Sequence, residues 1–180
     1  MAKVTFTDKD KTGVSPINKW RDSDANEVKA SINALYDLLN IGVFAALSAQ
    51  ATTDITASNT YVPISGSFTN VPAVGFVGVA DPAIKYTGDT TMYFEIDVHA
   101  SLKTPSNNTT VTVSIKKSGV EVTEARMTLF AKTLNEVYNF SGTSVVQLDT
   151  DDTIQLVVKS DNGADVTFIN ITTTIRPFSI

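Results

Sequence analysis

One run near the middle of the chain constrains the fold more than any other. Met92, Phe94, Ile96, Val98, Ala100 and Leu102 alternate with Tyr93, Glu95, Asp97, His99 and Ser101. A period of two puts the apolar set on one side of an extended strand and the polar set on the other. Val111, Val113 and Ile115 repeat the pattern, as do Ile154, Leu156 and Val158. Strands with one buried and one wet face belong to antiparallel sheets. Turn residues separate the runs. Ser118-Gly119 suits a two-residue hairpin between Lys116 and Glu121. Pro105–Asn108, Asp149–Asp152 and Asp161–Gly163 are further turns. In Val166–Ile175 the phase slips between Phe168 and Ile169, which implies a bulge or a strand buried on both faces. Gly75 and Gly78 are spaced for a bulge or a flexible strand. About eight to ten short strands fit between Thr60 and Phe178, the spacing of an antiparallel β-sandwich, above all a jelly roll.

The N-terminal part reads differently. Residues 1–19 are polar, with a possible short strand at Lys3–Thr7, and form an arm that orders on a partner or not at all. Over 20–42 the pattern predicts a helical neck. Asp24 and Glu27 make a capping box, and Gly42 follows the last periodic residue. Ala25, Val28, Ile32, Leu35 and Leu39 are spaced 3, 4, 3, 4, the narrow seam of a coiled coil. Two heptads do not hold a free coiled coil. The helix therefore packs on its own sheet, with Tyr36 and Leu38 widening the apolar face, or on sister copies. Residues 43–60 read as a linker, apolar at first and then rich in small polar residues. The head spans 61–180. The whole is mainly β, with one short helix before the sandwich.

Composition excludes several classes. Hydrophobic residues make up 42% of the 180 and charged residues 18%, which fits a packed core rather than a disordered chain. The net charge is −5, all of it beyond residue 40, so no basic patch favours nucleic acid. With no cysteine, disulfides and thiolate metal sites are excluded. Met1–Lys11 is charged and lacks an apolar centre, so no signal peptide is expected there. Ile41–Leu47, the longest apolar patch, falls far short of the roughly 20 residues of a membrane span.

No catalytic constellation emerges, and an enzyme is not expected. His99 is the only histidine and belongs to the wet face. Asp149, Asp151 and Asp152 lack the glycine and closing glutamate of a calcium loop and read as a turn. Glu95 and Asp97 share a strand face about 7 Å apart, near the spacing of inverting glycosidases, but paired acids on an exposed sheet are common. Tyr61, Tyr86, Tyr93 and Tyr138 are candidates for stacking on sugars, against a default of core or interface packing. No cofactor or metal is expected.

Two segments resemble known families. Trp20–Leu39, with Ser23, Asp24, Ala25, Asn26, Glu27, Val28, Lys29 and Asn33, follows a polar KVTFTD stretch at Lys3–Asp8. It resembles the N-terminal region of fibre and appendage proteins of tailed bacteriophages, including crAss-like phages of Bacteroidetes. Tyr93–Ile175 carries an alternating strand, a hairpin with a KKSG tip, Ser144–Leu148, an acidic turn and TFINITTTI. This order resembles the tumour-necrosis-factor-like jelly roll at the tips of phage fibres. Where that family usually has Gly-Asp in the acidic turn, this chain has Asp149-Thr150-Asp151-Asp152.

The resemblance implies a homotrimeric structural protein of the virion, a fibre, spike or decoration subunit assembled in the host cytoplasm. Phe6 and Trp20 would attach it to capsid, collar or tail. Ala25, Val28, Ile32, Leu35 and Leu39 would form the subunit seam, and the head would project, with a host-surface glycan as a possible partner. The alternative is a non-viral secreted lectin-like or cytokine-like trimer.

Overall fold

The computed structural model describes residues 26–33, 43–72, 75–80 and 82–178. The chain divides into two units, Met1–Asn40 and Ile41–Ile180. In the first unit, 26–33 is helical, as the heptad pattern requires. Val28 and Ile32, one turn apart on one face, are both partly exposed. The other proposed seam residues, Ala25, Leu35 and Leu39, lie outside the described residues, as do Phe6 and Trp20.

Among its described residues the second unit contains twelve strands: β1 (Val43–Leu47), β2 (Ala51–Thr53), β3 (Val62–Pro63), β4 (Phe68–Pro72), β5 (Phe76–Ala80), β6 (Ala83–Tyr86), β7 (Met92–Lys103), β8 (Thr109–Lys117), β9 (Val120–Ala131), β10 (Tyr138–Leu148), β11 (Thr153–Ser160) and β12 (Val166–Pro177). One sheet runs β10-β7-β12-β1-β4, with β2 beside β12; the other runs β5-β6-β11-β8-β9, with β3 beside β11. Every pairing is antiparallel. Early and late strands meet at the centre of the first sheet, since β12 lies between β7 and β1. This is the sandwich expected from the alternation.

The linker reading of 43–60 is corrected. Val43–Leu47 pairs with β12 on one side and β4 on the other, and Ala51–Thr53 also pairs with β12. The run Val-Phe-Ala-Ala-Leu is apolar throughout, so it carries no period-two signal. The run is nonetheless an inner strand of the sheet, with Ala45 and Leu47 buried.

The core sits between the sheets. Phe94, Ile96, Val98 and Leu102 of β7 face Val111, Val113, Ile115, Ile154, Leu156 and Val158 from the other sheet, all essentially inaccessible to water. Phe76, Tyr86 and Phe94 form an aromatic cluster with ring centroids 5.0–5.3 Å apart in tilted and edge-on geometry, the arrangement favoured by the ring quadrupoles. Tyr86 donates its hydroxyl hydrogen to the Thr90 carbonyl at 2.8 Å, so the buried phenol keeps a partner.

Local irregularities fall where the chain signalled them. Ser118 (φ 47°) and Gly119 (φ 86°) are both left-handed between Lys117 and Val120, the backbone of a type I′ hairpin turn. The register of β12 against β7 shifts between Phe168 and Asn170. The β5–β6 register shifts between Gly78 and Ala80, and Gly75 takes φ 90°. A larger bulge in β9 was not anticipated. Val113 pairs with Met127 but Ile115 pairs with Val122, so the residues between loop out opposite Ser114.

Candidate functional site

Among the described residues, the outward face of the first sheet gathers exposed aromatic, charged and amide side chains on three adjacent strands. β7 runs down its middle, flanked by β10 and β12. Because β7 buries Phe94, Ile96, Val98, Ala100 and Leu102, the intervening Tyr93, Glu95, Asp97, His99 and Ser101 must face outward. Strand register then sets their neighbours. Glu95 lies between Arg176 and Val145, Asp97 between Thr174 and Thr143, His99 between Thr172 and Ser141, and Ser101 between Asn170 and Asn139. Tyr93 pairs with Gln147, and the Phe178 amide donates to the Tyr93 carbonyl at 2.8 Å, continuing the ladder.

One end of this face is apolar. Tyr93 (44% exposed), Val145 (43%) and Phe178 (39%) lie on neighbouring strands within one or two rows. The middle is charged and internally bonded. Arg176 Nη2 donates to Glu95 Oε1 at 2.7 Å and lies 3.2 Å from Asp97 Oδ2. The Thr143 hydroxyl donates to Asp97 Oδ1 at 2.6 Å. The bond to Glu95, reinforced by the charges of Glu95 and Asp97, holds the Arg176 guanidinium above its usual pKa. Both acids are thus joined through one guanidinium. The far end is a shallow polar depression of about 340 Å³ around His99, Ser101, Asn139, Ser141 and Asn170. The β12 bulge brings Asn170 into register with Ser101, and Ser101 donates to the Asn139 side-chain oxygen.

A second cluster lies on the other sheet. Tyr61 continues the β3–β11 register opposite Lys159, whose Nζ sits 4.6 Å from the ring centroid as a cation–π contact. Arg126 makes a two-pronged bond to Glu121, 2.7 Å for each prong. The bulge in β9 lets Arg126 reach a residue on its own strand. That bond is the chief cause holding the Glu121 carboxyl down at about 2 and pushing Arg126 up. Burial first, then the Glu121 carboxylate, pushes the Tyr61 phenol up to about 12. The Tyr61 oxygen itself makes no hydrogen bond of ordinary geometry, although it is buried beside the pair. The cluster thus sets Tyr61, just before β3, against Lys159 of β11 and beside the Arg126–Glu121 pair of β9.

The acidic turn is occupied by its own structure. Asp152 accepts from the Asp149 amide at 2.8 Å, from Ser118 Oγ at 2.7 Å and from Lys117 at 2.9 Å. Burial raises its carboxyl, but the Asp149 amide, Lys117 and Ser118 together leave it below the usual range. Asp151 pairs with Lys85, and Asp149 accepts from Thr91. Asp149, Asp151 and Asp152 therefore brace the turn against the β8–β9 hairpin and β6. Among the described residues no group of three or more candidate ligands is placed to hold a metal ion.

The four tyrosines named from the sequence separate cleanly. Tyr86 is core. The Tyr61 ring is covered by Lys159. The Tyr138 hydroxyl accepts from the Thr133 amide and donates to Glu136. Tyr93 alone of the four presents an exposed side chain on the face described above. Its neighbours Val145, Phe178 and Arg176 were not singled out from the sequence. The alternation of Ser141, Thr143 and Val145 on β10 was available as a signal, but the inward positions Gly142 and Ser144 carry no apolar contrast.

No family model matches the chain, and no curated protein matches it. Solved structures do. Eiger TNF from S. frugiperda superposes with a TM-score of 0.57 at 8% identity, over 78% of this chain and 94% of that one. Murine APRIL at pH 5.0 gives 0.51 at 10% identity, over 75% and 98%. Murine APRIL at pH 8.0 gives 0.51 at 12%, over the same shares. At such identities the likeness concerns the fold: the second unit is a TNF-like jelly roll.

Proposed function

With the TNF-like jelly roll as premise, we propose that this chain is a non-catalytic structural subunit that self-associates as a homotrimer and serves on a bacteriophage virion. It would be a fibre, spike or decoration protein assembled in the host cytoplasm. The observation that carries self-association is the outward face of β10, β7 and β12. There an exposed apolar end, Tyr93, Val145 and Phe178, adjoins a pre-bonded charged centre, Arg176 with Glu95 and Asp97. Apolar surface removed from water contributes roughly 25 cal/mol per Å². Charges already paired within the subunit lose less on desolvation than unpaired ones.

The virion assignment draws its support from the N-terminal segment, where KVTFTD and the SDANEVK stretch resemble phage appendage proteins. In this reading residues 1–19, with Phe6 and Trp20, attach the subunit, the seam through Val28 and Ile32 supports the neck, and the head projects. Three heads on one stalk multiply a weak contact to the host surface through effective concentration. Immunogold labelling with antibody raised against the purified chain tests the assignment. Gold on the surface of particles released from producing cells is the expected result. Soluble protein in the culture with unlabelled particles would contradict it and favour a non-viral, cytokine-like or lectin-like trimer.

A further inference from the structure

The polar depression at one end of the β10–β7–β12 face is built differently from the rest of that surface. Its polar side chains stand in two neighbouring rows. Asn139, Ser101 and Asn170 lie side by side on β10, β7 and β12, and Ser141 and His99 are partners in the next row. Strands lie about 4.8 Å apart and one face of a strand repeats about every 7 Å, so the patch measures roughly 10 by 7 Å. All of these groups can be reached from solvent: His99, Asn139, Ser141 and Asn170 are exposed, and Ser101 is half-buried. At about 340 Å³ the depression has the volume of a small ligand site.

The bulge in β12 completes the patch. Phe168 pairs with Leu102, and Asn170, not Ile169, pairs with Ser101. A regular strand would set Ile169 opposite Ser101 and turn Asn170 toward the core. The extra residue puts a carboxamide on the open face instead, the kind of re-aiming for which bulges serve beside functional sites. On the other flank, Ser101 donates to the Asn139 side-chain oxygen, which fixes that carboxamide and leaves its amino group for another acceptor.

The lining selects among ligands. Among the described residues, no Asp, Glu, Lys or Arg lines the depression; Ala100 and the half-buried Phe140 complete it. Asp97 and Lys103 are the next outward residues of β7 on either side. Asp97 is engaged by Arg176 and Thr143. Lys103 stands a row beyond Ser101, opposite Thr167, and does not line the depression. An anion site needs direct charge-assisted bonds, which this lining does not supply. Protein partners bind through aromatic and arginine anchors, and on this face Tyr93, Phe178 and Arg176 stand at the other end. A neutral ligand rich in hydroxyls fits best, because carboxamides and adjacent sugar hydroxyls each combine donor and acceptor groups. The chain enters the head at Val43, in the row of Ile175 and Ile96, and the depression lies further along β7 from that row.

We propose that this depression binds a neutral sugar, with Asn139 and Asn170 bonding adjacent hydroxyl groups and His99 a further one. The proposal rests on the reading of the head as the part that meets the host surface. Its failure shows in sugar binding alone, whereas failure of the virion or trimer reading shows in immunogold labelling or solution mass.

The test titrates the methyl glycosides of glucose, galactose, mannose and N-acetylglucosamine into the full chain, with methyl glucuronide as the anionic counterpart. Saturation-transfer NMR reads binding, and the side-chain amide resonances of Asn139 and Asn170 read its place. At least one neutral glycoside should bind saturably, with a dissociation constant on the order of 1–10 mM, and should shift both amide pairs. Asn139→Ala/Asn170→Ala should weaken that binding about tenfold or more by removing two hydrogen bonds, while Gln155→Ala on the other sheet leaves it unchanged. Circular dichroism checks the fold, and if the double variant does not fold, the wild-type amide shifts decide. The proposal is overturned if no neutral glycoside binds, if the glucuronide binds more tightly than all of them, or if the shifts fall elsewhere. Unchanged affinity in the folded double variant also overturns it. So does an altered solution mass of that variant, which would assign the depression to contact between subunits.

Discussion

Single residues in this molecule do three kinds of work. Phe94 anchors the aromatic cluster and is fully buried. Phe94→Ala removes a ring from contact with both Phe76 and Tyr86 and should cost about 3–5 kcal/mol in urea unfolding. Glu121 does electrostatic work. Its carboxyl sits at about 2 in the folded protein, below the ordinary 4.5, chiefly because of Arg126. A depressed folded-state pKa adds stability that is complete above the unfolded value and is lost as pH falls from about 4.5 toward 2. The pair is partly exposed and screened, so its share is small. Glu121→Gln should lower Tm at pH 7 and flatten the dependence of Tm on pH between 5 and 2, measured by calorimetry. Tyr93 does surface work, and it shows the reach of reading by residue type. Its outward direction was legible from alternation with Met92 and Phe94. What singles it out is the company of Val145 and Phe178, which strand pairing alone reveals. Val145 was hidden because Ser144, its inward neighbour on β10, is polar, so the local hydropathy runs against the burial.

At the scale of elements, the hairpin and the bulges behave as the turn chemistry requires. The Ser118-Gly119 turn was legible because a two-residue loop of this kind needs two left-handed residues, and Gly provides one without steric cost. Nothing approaches the position a Cβ would take at Gly119, so crowding adds no penalty there. Gly119→Ala should therefore cost only the left-handed backbone term, about 1–2 kcal/mol, by chemical denaturation. A loss well above that would mean the turn is held by more than its backbone. The β12 slip was legible as a break in alternation between Phe168 and Ile169. Two elements were not. Val43–Leu47 has apolar residues at every position, so no polar phase marks one of its faces as wet. The β9 bulge opposite Ser114 arises from a register change between partners far apart in sequence. No local pattern encodes it, yet it brings Arg126 onto Glu121.

At the scale of the whole molecule, the sandwich and its jelly-roll type were legible because long strands of period two leave few alternatives. The candidate surface was legible only in half: the β7 face could be written down from the sequence, but not the strands beside it. Those neighbours turn a polar strand into a two-ended surface. The proposed helical seam would be a separate contribution; of its residues, Val28 and Ile32 fall among those described and both are partly exposed. If the head face is the main determinant of assembly, Ile32→Asp should weaken the trimer without abolishing it. Analytical ultracentrifugation over a dilution series would show a raised dissociation constant, whereas complete loss of the trimer would assign assembly to the helix.

The most direct test is the solution mass of the full chain by multi-angle light scattering, beside the double variant Tyr93→Asp/Val145→Asp. The account predicts a wild-type mass near three times 19.3 kDa and a folded monomer for the double variant. A monomeric wild type, or a double variant that keeps the trimer mass, would contradict it.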